Sequence, residues 1–172
     1  MELLERFAAG DLDAFESLFR QYQGDVYRWI VRIVRDPATA EDLTVETFWR
    51  IHKAHARFSV EGNFGAWLRR IATNAALDHL RRSRREVPLP DDISAARQPD
   101  KVVNAETRRS IHQAISTLPP RLRVVILLAF IEEEPYAQIA DSLGISENAV
   151  KVRVFRGVRL LRKKLQQAGV HA

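Results

Sequence analysis

The chain has 172 residues, 46% of them hydrophobic, a net charge of +5 and a pI near 10.0. That hydrophobic share excludes a disordered chain, and the length allows one medium domain or two small ones. The lack of any cysteine excludes disulfides, thiolate metal sites and cysteine nucleophiles together, and fits a reducing compartment.

The first residues, "MELLERFAAGD", are acidic where a secretion signal would be positive. No apolar run reaches the roughly 18 residues that a membrane span needs. The expectation is a cytoplasmic protein without membrane insertion.

Helical periodicity then runs along almost the whole chain. "DAFESLFRQYQGDVYRWIVRIV" spaces Phe15, Leu18, Phe19, Tyr22, Val26, Ile30 and Ile33 by threes and fours, which predicts an amphipathic helix. "DPATAEDL" supplies a stop and a start, with Asp36 as cap and Pro37 at the first helical position. The second helix runs to about Ala56 with Leu43, Phe48 and Ile51 on one stripe. "RFSVEGNFG" breaks it, and a third helix is predicted from about Phe64 to Arg82. "REVPLPDDISAARQPDKVVN" carries three prolines and no sustained period, the composition of a linker. Fully extended, it could reach roughly 60 Å. Beyond it, "AETRRSIHQAISTL" is helical up to Pro119-Pro120, and "RLRVVILLAFIEE" is a strongly apolar helix.

"YAQIADSLGISENAVKVRVFRGVRLLRKKL" closes the series and has the pattern of a helix-turn-helix. Ala140 permits a close crossing, Gly144 makes the turn, and Ser146 caps the second helix. At 100° per residue, Val150, Val154, Val158, Leu161 and Leu165 face inward. Asn148, Lys151, Val152, Phe155, Arg156 and Arg159 fall on the opposite side or its flanks. Arginine can grip guanine, asparagine can pair with adenine, and apolar groups can touch a thymine methyl, so this face suits a major groove. Arg162, Lys163 and Lys164 are placed for phosphates. The alternatives are a solvated basic face and, for Phe155, packing on a neighbouring helix. Charge distribution points the same way: residues 1–86 hold 14 basic and 13 acidic side chains, and residues 106–172 hold 11 and 6. Seven of those 11 basic residues lie between Lys151 and Lys164, a block that attracts a polyanion.

Five segments, "AAGDLDAFESLFRQY", "AEDLTVETFWRIHKA", "NFGAWLRRIATNAALDHLRRSRR", "LPPRLRVVILLAFIEEEPYAQIADSLGIS" and "VKVRVFRG", resemble in order and spacing the extracytoplasmic-function group of bacterial RNA polymerase sigma factors. The resemblance implies an all-α protein of two small helical domains joined by a flexible linker, the second containing the helix-turn-helix. The expected bounds are 1–85 for a region 2-like domain, 86–104 for the linker and 105–172 for a region 4-like domain. It implies a subunit that binds core polymerase, through its clamp helices and its flap, and directs initiation at minus-ten and minus-thirty-five promoter elements. It also implies an anti-sigma factor as a partner.

Residue by residue, the resemblance places core-polymerase contacts at Asp42, Leu43, Glu46, Phe48 and Trp49, with Trp49 as a core residue the competing reading. Val45 stands where the family often has glutamine. Minus-ten recognition and melting fall to Phe58, Asn63, Phe64, Trp67, Arg70, Asn74, Asp78, Arg81 and Arg82, supported by Arg69, Arg84 and Arg85. Stacking partners for displaced bases and cations for the single strand are what melting requires. The loop from Phe58 to Asn63 would hold a flipped base, and Trp67 reads equally as core. Lys151, Val152, Phe155 and Arg156 carry over to the minus-thirty-five element, with Val152 where many relatives have serine. Pro135, in "EEEPYAQIA", fits a first helical position.

Two other function classes compete. An enzyme would need a catalytic motif; His52 and His55 in "RIHKAH" are a weak metal pair, and no HExxH, P-loop or GxSxG sequence occurs. No cofactor is therefore expected. A stand-alone DNA-binding regulator would dimerise on a palindrome and carry a sensor domain, whereas no strand signal and no homo-oligomer is expected here.

Overall fold

The computed structural model describes residues 2–86 and 103–167. The expected linker, 86–104, lies almost wholly outside them. Among the described residues the chain is all helix, as expected, and divides into two compact units, residues 1–83 and 84–172.

The first unit begins with a short helix that periodicity does not reveal, α1 (Glu2–Ala8). Asp11 then caps α2 (Leu12–Val34) by accepting from the N–H groups of Asp13 and Ala14 at 2.9 and 3.1 Å. A hydrogen bond from Arg6, then the backbone N–H of Ala14, holds the Asp11 carboxyl below its ordinary range. Arg35, in the left-handed region at φ 63°, ends α2. Asp36 and Pro37 start α3 (Pro37–Ala54) as the sequence predicts, with Thr39 N–H donating to Asp36 at 2.8 Å. A 3-10 turn, His55–Arg57, finishes α3 short of Ala56, and α4 (Phe64–Glu86) follows the glycine-containing loop.

α1 and α3 both pack on α2. Leu18, Val26, Ile30, Ile33, Leu43, Phe48 and Ile51 are buried between the helices, so the stripes read from the sequence are the ones used. α4 is held by the Trp29 indole, which is buried and donates to Thr73 Oγ1 at 2.9 Å. An aromatic cluster closes one end. Phe7 of α1 lies 5.7 Å from Phe64, 6.2 Å from Phe58, 6.3 Å from Trp67 and 6.4 Å from Phe15, centroid to centroid.

The second unit comprises α5 (Val103–Ser116), α6 (Pro120–Ile126) with a π-helical turn at Leu127–Ile131, α7 (Tyr136–Leu143) and α8 (Glu147–Gln167). Arg123 is buried and donates to the Leu118 carbonyl at 2.9 Å, which ties α6 to the turn that follows α5. Pro135 stands just before α7 rather than inside it. Its ψ of 145° is extended, and its carbonyl accepts from Gln138 and Ile139 at 2.9 and 3.0 Å.

Candidate nucleic-acid and partner interfaces

The helix-turn-helix is built from local rules. Gly144 takes the left-handed conformation at φ 62°, and the Ile145 N–H reaches back to the Ala140 carbonyl at 3.0 Å, a Schellman ending. Ser146 Oγ accepts from the Ala149 N–H at 3.1 Å and caps α8. Gly157 sets the depth of the crossing. A Cβ there would lie 2.7 Å from Cγ1 and 2.9 Å from Cδ1 of Ile126, so α8 meets α6 where only glycine fits.

With Val150 and Val154 buried and Val158, Leu161 and Leu165 half-buried, the other side of α8 is turned to solvent. Asn148, Lys151, Val152, Phe155, Arg156 and Arg159 are all exposed, Val152 to 41% and Phe155 to 68%. Phe155 is therefore not buried against a neighbouring helix. Lys151 Nζ lies 3.1 Å from Glu147 Oε1, one turn back. Arg153 was given no role by the sequence pattern. It is half-buried, and burial, then the charge of Arg121 on α6, lowers its proton affinity.

In the first unit the candidate residues separate. Phe58, expected in the loop that holds a flipped base, and Phe64, expected in melting, are instead buried in the aromatic cluster, because the turn before α4 folds both rings onto Phe7. Trp67 is half-buried at the edge of the same cluster, 5.1 Å from Phe58. Asn63 is exposed, but its side-chain oxygen is committed to capping α4 through the Ala66 N–H at 3.0 Å. Arg70, Arg81 and Arg82 are exposed along α4, and Asn74 and Asp78 are half-buried. Asp78 is engaged in ion pairs, with Arg81 at 2.5 Å and with Arg50 of α3 at 3.4 Å. Arg69 lies over the Trp29 ring, 5.6 Å from its centroid.

On α3, Leu43 and Phe48 are core residues rather than exposed contacts, since a 100° step per residue carries them inward from the acids beside them; only the edge of Phe48 reaches the groove between α2 and α3. Asp42 is exposed, and Trp49 is exposed to 57%, with Lys53 Nζ 4.7 Å above its ring. Glu46 is half-buried and accepts from Arg50 Nη2 at 2.6 Å. Between α2 and α3 runs an open groove of about 400 Å³, lined by Leu12, Phe15, Phe19, Val45, Phe48, Trp49 and His52. Leu12 and Val45 are both strongly exposed on its rim. His52 packs edge-on against Phe15 at 5.0 Å, while His55 Nδ1 lies 3.1 Å from the Ala8 carbonyl, so the two rings serve packing and an α1 contact. No described helix is long and apolar enough to cross a membrane.

Comparison with known proteins adds the family. Residues 18–86 match Sigma-70 region 2 and residues 108–161 match Sigma-70, region 4. The chain is 30% identical to the ECF RNA polymerase sigma factor SigW of Bacillus subtilis, over 95% of each chain. It is 34% identical to the RNA polymerase sigma factor CarQ of Myxococcus xanthus, over 94% of this chain and 95% of that one. It is 37% identical to the ECF RNA polymerase sigma factor BldN of Streptomyces coelicolor over 96% of its own length, and spans 65% of that relative's. Two solved structures share the fold. The sigma factor RpoE, in complex with the anti-sigma factor NepR from Bartonella quintana, gives a TM-score of 0.66 at 21% identity, covering 88% of this chain and 96% of that one. CnrH, in complex with the cytosolic domain of CnrY, gives 0.65 at 24% identity, covering 96% of each.

Proposed function

This chain belongs to the extracytoplasmic-function group of sigma-70 RNA polymerase sigma factors, alternative initiation factors without enzymatic activity of their own, and on that premise we propose how its surfaces divide the work. The observation that carries the division is the exposed face of α8, where an amide, an aliphatic group, an aromatic ring and three cations stand together on a helix-turn-helix. That face reads the minus-thirty-five element through Asn148, Lys151, Val152, Phe155, Arg156 and Arg159. Arg162 and Lys163, with Arg121 and Arg153, meet phosphates.

The exposed side of α4 reads and opens the minus-ten element. Arg70, Arg81 and Arg82 follow the displaced strand, Asn74 supplies a polar contact, and the open edge of Trp67 supplies a stacking surface. Phe58 and Phe64 support the loop before α4 from inside, and Asn63 fixes where the helix begins.

Core polymerase engages α3 at Asp42, Glu46 and Trp49. The apolar groove beside them, rimmed by Leu12 and Val45, gives that docking its buried area. The exposed pair Phe130 and Ile131 offers the second unit an apolar contact for the polymerase flap. An anti-sigma factor that covers the α2–α3 groove would block polymerase by occupying the same apolar surface. The domain bounds that serve this scheme are 1–85, 86–104 and 105–172.

In vitro transcription with purified bacterial core polymerase over a pooled promoter library tests the reading. Start sites that need this protein support it, and their alignment yields both promoter elements. A protein that fails to co-elute with core, yet binds DNA tightly alone, would be a stand-alone regulator instead.

A further inference from the structure

Four charged side chains form a continuous line from α3 to α4. The Arg50 guanidinium donates to Glu46 Oε1 from Nη2 at 2.6 Å and from Nε at 3.1 Å, and reaches across to Asp78 Oδ2 from Nη1 at 3.4 Å. The other Asp78 oxygen accepts from Arg81 Nη2 at 2.5 Å. Glu46 lies on the surface assigned above to polymerase, and Arg81 on the surface assigned to DNA.

We propose that Arg50 is a positioning residue that couples the two surfaces: when a cation of the polymerase engages Glu46, Arg50 shifts onto Asp78, and Asp78 releases Arg81 to the promoter strand. The proposal rests on the functional reading of α3 and α4 given above. Its physical basis is the inequality of the bonds. Arg50 is held tightly by Glu46 and loosely by Asp78, so it has slack toward α4 and a fork suited to closing on a carboxylate at about 2.7–2.9 Å. Asp78 holds Arg50 on Oδ2 and Arg81 on Oδ1, so the two guanidiniums repel each other across it; drawing Arg50 closer raises that repulsion and loosens Arg81, the more exposed of the two. Burial opposes the charge on Arg50, but Glu46 and then Asp78 outweigh it in the arrangement seen here. Because coupling is reciprocal, DNA held by Arg81 would in turn favour engagement at Glu46.

The test is a double-mutant cycle on a promoter selected with the wild-type holoenzyme, reading the rate of open-complex formation at saturating core polymerase. Glu46→Gln, Arg81→Gln and their combination are compared in the wild-type and Arg50→Gln backgrounds, with thermal melts of each. The side chains of Glu46 and Arg81 are linked here through Arg50 and Asp78, so independent sites would give multiplicative effects. A departure of threefold or more with Arg50 present, falling within twofold in Arg50→Gln, supports the relay. Multiplicative effects within twofold in the wild-type background overturn it, as does a departure that persists without Arg50. Should Arg50→Gln melt below the assay temperature, Arg50→Lys, which keeps the charge without the fork, replaces it. No initiation by the wild-type protein would sink the functional reading and the relay together, whereas normal initiation with multiplicative effects sinks the relay alone.

Discussion

Arg156 stands one residue before the buried Gly157, so its Cα is fixed by the close crossing of α8 on α6 while its side chain is exposed. A guanidinium on so fixed a stem is suited to a bidentate base contact. Arg156→Ala is expected to weaken minus-thirty-five recognition by about 1–3 kcal/mol and to relax preference at one base pair, measured by competition among holoenzyme-bound promoter variants. Two aromatics of the first unit should part ways. Phe64→Ala removes a buried ring and is expected to cost about 3–5 kcal/mol of stability in denaturant unfolding. Trp67→Phe keeps most of the cluster, so stability should change little while the open-complex rate falls; equal losses of closed-complex binding and opening would count against a melting role. The sequence did not separate these neighbours. Phe58 and Phe64 flank a polar, glycine-containing loop, and such rings look exposed until Phe7, far upstream, is known to cover them.

At the scale of elements, Gly157 sets two effects against each other. Alanine there would gain up to about 1 kcal/mol of helix propensity. Its methyl would meet Ile126 inside contact distance, and overpacking of that kind costs about 1–3 kcal/mol. Overpacking wins, so Gly157→Ala is expected to lower the melting temperature and weaken minus-thirty-five binding together. Asp36 gives a pH test. A hydrogen bond from the Thr39 side chain, then its backbone N–H, holds the Asp36 carboxyl below its ordinary range. A depressed folded-state value means a contribution present above the unfolded value and lost as pH falls through the folded one. Asp36→Asn, which can still cap, should therefore reduce the acid-induced loss of melting temperature more than it lowers the neutral value. Elements were the most legible scale. The stripes of α2, α3 and α8, the Asp36-Pro37 start and the Gly144 turn all follow from spacing and cap chemistry. α1 did not, because seven residues are too few for a period.

For the whole molecule, affinity for promoter DNA should carry a strong electrostatic part, since both proposed DNA surfaces, on α8 and on α4, are rich in basic side chains. Replacing Lys163 with alanine is expected to weaken promoter binding evenly across sequences and to reduce the slope of log affinity against log salt by about 1, if it contacts one phosphate. A change in base preference would move Lys163 from the phosphates to the base edges. Division into two units was readable from composition, but the line from Glu46 to Arg81 was not: it joins residues on different helices that no local pattern relates.

The aromatic cluster around Phe7 ties α1 to a part of the chain made about 60 residues later. During synthesis at roughly 5–20 residues per second, Phe7 waits roughly 3–12 s before Trp67 is made, and longer before it clears the ribosome. Until then the nascent chain carries an apolar ring whose α4 partners, Phe64 and Trp67, are still missing, a target for chaperones. Any change that disturbs α1 would then act on the loop that precedes α4, so the yield of folded protein should depend on α1 as well as on the helices it packs against.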